Sequence, residues 1–125
     1  MVYTSSTLAL AAMELLVHLD DENLAHDYIG IPADIPSSVE IRKLPSTDLP
    51  GDWRAFPRPV TLADLGTRWA SALESAVLAV PSAIIPQELN YLLNPRHPHF
   101  KRIQIGRPVP FAFDPRLWKR SPGAS

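Results

Sequence analysis

The chain has 125 residues, 46% of them hydrophobic and 20% charged, with a formal net charge of −1 and no cysteine. That is one domain's worth of polypeptide, able to hide roughly two-thirds of its unfolded surface in a single core, and the lack of cysteine excludes disulfides and thiolate metal sites. No apolar run approaches the ~20 residues needed to span a bilayer, and the apolar first dozen carry no basic flank or small-residue cleavage site, so a cytoplasmic protein is expected.

Charge is unevenly placed. No Lys or Arg precedes Arg42, whereas Asn90 to Arg120 holds seven basic residues against the single acid Asp114. Such a bias attracts phosphate, nucleic acid or acidic partners, although a solvated mixed surface is its commoner outcome. Fourteen prolines run from Pro32 to Pro122. They remove ladder donors and stiffen the chain, which predicts short strands joined by ordered turns and argues against a helical bundle.

In chain order, Val2-Tyr3 suits a strand end, and Ser5, Ser6 and Thr7 offer capping hydroxyls to a helix from about Leu8 to Leu19. Asp20, Asp21 and Glu22 fall at the wrong end of that helix dipole and are expected in an exit loop. Tyr28 to Ile31 and Ser38 to Ile41 alternate like half-buried strands kept short by Pro32 and Pro36, and Leu49-Pro50-Gly51-Asp52 signals a turn. A second amphipathic helix is expected from Thr61, as its cap, to about Ser71, with Asp64 in its positive first turn. The run "SAVLAVPSAIIP" reads as a strand buried on both faces and bent at Pro81. "NYLLNPRHPHF" reads as a turn-rich link, Ile103 to Ile105 and Phe111 to Phe113 as the last strands, and residues 119–125 as a frayed tail after one domain spanning residues 1–118. The fold class is α+β, with two main helices against a proline-interrupted sheet.

Few groups could carry chemistry. Glu14 sits in "TLALAAMELLVHLD", where His18 is the only polar neighbour at helical spacing, and spacing alone favours a helix-edge pair of the two over a buried, reactive carboxylate. A metal site would need further ligands that the sequence does not supply, so none is expected. Ser82 is a hydroxyl inside an apolar run, most simply bonded to nearby backbone, and no Gly-x-Ser-x-Gly surrounds it. His97 and His99 lie in a basic, proline-rich loop, where exposed histidines are commoner than metal or phosphate ligands. Asn90 and Asn94 suit turns, and Trp53, Trp69 and Trp118 suit a core or an interface.

Taken in order, "VYTSSTLALAAMELLVHL", "LPGDWR", "LGTRWASALESAVLAVPSAIIPQELNYLLNPRHPHFKRIQI" and "PFAFDPRL" resemble the RES domain family across Val2 to about Leu117. That family comprises the toxins of toxin–antitoxin pairs whose antitoxin carries an Xre-like helix-turn-helix module. The resemblance implies an ADP-ribosyltransferase-like core that consumes NAD as a substrate, with no further cofactor. The family glutamate falls at Glu14 and the serine at Ser82, as catalytic residues; the aromatic falls at Tyr3 and an asparagine at Asn90, as substrate-binding residues. Hydrolysis, phosphorolysis and transfer to a protein are alternative fates of the ADP-ribosyl group. The implied partner is an Xre-like antitoxin, through which alone nucleic acid would be met; no membrane is involved, and self-association is left open.

One family element has no counterpart. The family arginine precedes the tyrosine strand, whereas here Met1-Val2-Tyr3 opens the chain, and Arg42, Arg54 and Arg68 lie at no matching position. An N-terminally truncated domain with an unpaired sheet edge is therefore expected, explained by a late start site or a shortened gene in preference to a degenerate remnant, and this chain by itself is expected to be weak or inactive. The alternative from another class is a non-catalytic protein that binds an Xre-like antitoxin.

Overall fold

The computed structural model describes residues 1–117; Trp118 and the tail at 119–125 lie outside the described residues. Four strands form the main sheet in the order β1 (Val2–Ser5), β6 (Leu89–Leu93), β5 (Val77–Pro81) and β4 (Ile41–Lys43). β6 is antiparallel to both β1 and β5, while β4 and β5 are parallel. A parallel pair needs a crossover, and α3 (Val60–Ala72) supplies it. α1 (Leu8–Leu16) follows β1, and a short α2 (Asp21–Leu24) precedes β2 (Asp27–Gly30). Two small antiparallel ribbons pair β2 with β8 (Val109–Ala112) and β3 (Ala33–Asp34) with β7 (Gln104–Ile105). The architecture is α+β.

The apolar run that names β5 is continuous because both faces of the sheet are covered. Val77 pairs with Leu93, and the two pack with Val39, Ala76 and Ile103 on one face. Leu78 pairs with Leu92, and these pack against Trp69 of α3 on the other. The Trp69 indole donates to Ser75 Oγ at 2.9 Å, and that hydroxyl donates to the Val77 carbonyl at 2.7 Å. Trp69→Phe breaks this relay in a side chain that is only 4% exposed. It is expected to cost about 1–3 kcal/mol in denaturant unfolding while leaving the fold in place.

Several boundaries differ from expectation, each for a local reason. α1 begins as expected, with Thr7 Oγ1 accepting from the Leu10 amide at 3.1 Å, but it ends at Leu16. The acids that follow belong partly to α2, not to a loop. α3 starts one residue before Thr61, from an extended Pro59 whose carbonyl takes the Leu62 and Ala63 amides; Thr61 provides no cap, and Asp64 lies beyond the first turn. Val39 is a buried core residue in a turn, so the strand expected at Ser38 to Ile41 is displaced to β4. The largest correction concerns "NYLLN", which is the central strand β6 and not a link. Asn94 closes it: its amide N–H donates to Ala76 O at 2.8 Å and its side chain to Ala70 O at 3.0 Å, tying the strand end to the last turn of α3. β1 lies at one edge of the sheet, and no described helix is long and apolar enough to cross a membrane.

Candidate active site

Glu14 lies in the last turn of α1, where the helix carbonyls present partial negative charge and disfavour a carboxylate. Donors from the sheet offset that cost. Ser82, just beyond β5, donates to Glu14 Oε1 at 2.7 Å, and Asn90 Nδ2 of β6 donates to the same oxygen at 2.9 Å. Oε2 has no hydrogen-bond partner among the described residues, so one carboxylate oxygen is clamped and the other is not, in a residue that borders the adjoining cleft.

The proton positions in this cluster follow from its partners. The Ile84 and Ile85 amides both donate to Ser82 Oγ, at 3.2 and 3.1 Å. Since backbone N–H groups can only donate, the Ser82 proton is directed at the remaining partner, Glu14. Asn90 Oδ1 accepts from Ser5 Oγ at 3.2 Å, opposite it in the β1–β6 register, which fixes the amide with its NH₂ toward the carboxylate. Ser5, unremarkable in the sequence except as a capping hydroxyl, thus completes a chain of four side chains from three elements and the segment after β5. The Ser82 amide is also held, by Glu88 O at 2.8 Å. No buried side-chain polar atom among the described residues lacks a partner.

The helix-edge pair of Glu14 and His18 does not form: Glu14 is turned to the sheet, and His18 lies 6.1 Å from the Phe56 ring, centroid to centroid. Ser82 is 0% exposed and does not line the cleft, whereas Tyr3, Glu14 and Asn90 do. Ser82 therefore reaches a ligand only through Glu14. Tyr3 stands at the rim, 46% exposed, with the Arg58 guanidinium 4.7 Å from its ring centroid, so one face of the ring is already covered. The cleft itself encloses about 1060 Å³ between the end of α1, the β5 and β6 side of the sheet, the loop after β4, and α3. That matches the upper end of small-ligand sites, ~300–1000 Å³.

The remaining candidates take structural places. Asn94 Oδ1 accepts from the Arg96 amide at 3.1 Å, and Trp69 is core, while Trp53 lines the cleft. His97 Nδ1 is occupied by the His99 amide at 3.0 Å. Arg102, then partial burial, His97 and Lys101 hold the His99 imidazole below its ordinary pKa, surroundings that repel a metal cation. No group of three or more potential ligands is gathered for a metal among the described residues.

Residues 1–114 match the RES domain family. The chain is 40% identical over 117 residues to a protein named Toxin Res from Yersinia enterocolitica, covering 93% of this chain and 76% of that one. It is 39% identical over 120 residues to a Toxin Res from Photorhabdus laumondii, covering 94% and 76%. To the Prs ADP-ribosylating toxin of a Sphingobium strain it is 34% identical over 122 residues, covering 96% and 76%.

Proposed function

The chain belongs to the RES domain family, and on that footing we propose that it is a toxin that consumes NAD by breaking the bond between nicotinamide and ribose. The observation that supports this most is Glu14, a residue that borders the cleft with one carboxylate oxygen clamped by Ser82 and Asn90.

In this reaction the bond from ribose C1′ to the nicotinamide nitrogen breaks, and its electron pair goes to the ring, cancelling the pyridinium charge. Positive charge then builds on the sugar. A fixed carboxylate in a partly water-excluded wall stabilises that charge without having to reorganise at the moment of reaction. Glu14 Oε2 takes this role, facing the sugar cation or holding a ribose hydroxyl. Asn90 and Ser82 are positioning residues that keep Glu14 aimed, and Ser5 keeps Asn90 aimed. Tyr3 contributes the uncovered face of its ring to the substrate. Water, phosphate or a protein side chain completes the reaction by attack at C1′, and the name of the Sphingobium relative, an ADP-ribosylating toxin, gives weight to transfer of the ADP-ribosyl group.

An Xre-like antitoxin is the partner that this reading calls for. The test in cells is the order of events after induction of the chain. NAD is expected to fall before growth slows, with both effects suppressed when a cognate antitoxin is co-expressed. Growth arrest at constant NAD would contradict the proposal.

A further inference from the structure

The seven basic residues of the C-terminal third draw attention in the sequence, but the cleft is lined by others. Every Lys and Arg before residue 90 borders it: Arg42, Lys43, Arg54, Arg58 and Arg68. Described cations after residue 90 do not, and Arg116 is neutralised locally by Asp114, whose carboxyl it holds down at about 2. Among the five, Arg42 is shared between Glu40 at 3.4 Å and Glu74 at 3.6 Å. The other four, Lys43, Arg54, Arg58 and Arg68, have no carboxylate within 4.0 Å among the described residues, and of these Arg54 and Arg58 are held in place by other contacts.

From this placement we infer that Arg54 and Arg58 form the anion-binding arm of the cleft and take the diphosphate of a dinucleotide; the dinucleotide, though not the anion, rests on the NAD reading above. By position in the sequence Arg54 has no claim to a phosphate. By position in space it does. Its Nε donates to the Ala83 carbonyl at 2.8 Å, next to Ser82, so the loop after β4 is pinned to the segment that holds the carboxylate clamp. That bond uses one of the guanidinium's donors and leaves its terminal nitrogens for an anion, which a planar fork grips in two parallel hydrogen bonds. Arg58 lies over the Tyr3 ring and is flanked by Pro57 and Pro59, whose fixed φ lowers the entropy lost on holding it in place. Both arginines border the same cleft as the Glu14 carboxylate. A diphosphate drawn to the arginines is kept away from Glu14 by like charge, while a cationic nicotinamide riboside end is drawn toward it.

The test is calorimetric binding of two probes, inorganic pyrophosphate and ADP-ribose, to the full chain and to Arg54→Gln, Arg54→Lys and Arg58→Gln. Each Gln variant is expected to weaken both probes roughly 10-fold or more, and Arg54→Lys less, because it keeps the charge but loses the fork. Affinity should fall with added salt in the wild type, and less steeply in the Gln variants. Thermal unfolding of each variant separates lost binding from lost fold. Wild-type affinity in the Arg54→Gln and Arg58→Gln variants, or no binding of either probe by the wild type, would overturn the inference. If NAD is not consumed yet pyrophosphate binding depends on these arginines, the cleavage reading falls and the anion arm stands. If NAD is consumed with unchanged KM in both Gln variants, the anion arm falls and the cleavage reading stands.

Discussion

Glu14→Gln is expected to cut NAD cleavage by at least ~10²-fold, the scale seen when a single preorganised electrostatic contact is removed from a transition state. Gln has the shape of Glu, and its carbonyl oxygen can still accept from Ser82 and Asn90. The clamp is kept in outline and only charge-assisted bonds become neutral ones, a change of about 1 kcal/mol or so in stability. Lost activity with a nearly unchanged melting temperature is therefore the expected signature, together with lost growth arrest on expression. Retained toxicity in a folded Glu14→Gln variant would remove Glu14 from the mechanism.

Ser82→Ala is expected to damage both fold and rate, because one hydroxyl serves three partners. Removing it leaves the Ile84 and Ile85 amides without their acceptor at a side chain that is fully buried, and each unsatisfied buried group costs about 1–3 kcal/mol. A melting temperature lower by several degrees follows, at roughly 4 °C per kcal/mol for a domain of this size. The carboxylate also loses one of its two donors. Since Ser82 does not line the cleft, the kinetic loss should fall on kcat with KM little changed. Ser82→Thr, which keeps the hydroxyl, should recover more of kcat than Ala does; a raised KM with kcat intact in Ser82→Ala would show instead that Ser82 touches the substrate.

How much of this was legible in the sequence depended on whether a signal was local. β5 announces itself because a strand covered on both faces must be apolar at every position, and the start of α1 is marked by the Thr7 hydroxyl. β6 does not, because Asn90 and Asn94 at its ends resemble turn residues until their partners in β1, β5 and α3 are known. In the same way, spacing offered Glu14 only His18, since no pattern along a helix reveals donors 68 and 76 residues away. Family resemblance gathered Glu14, Ser82, Asn90 and Tyr3, but not their division of labour. That division depends on burial: Asn90 and Glu14 border the cleft, while Ser82 lies behind it. Arg54 carries no such signal in the sequence, because it is set by a loop folding back on Ala83, a contact 29 residues apart in the chain.

The most direct measurement is release of nicotinamide from NAD by the purified chain, followed chromatographically beside Glu14→Gln at equal concentration. The account predicts slow but steady release by the wild type that vanishes in the variant. Equal release by the two proteins, at a rate above that in buffer, would contradict it.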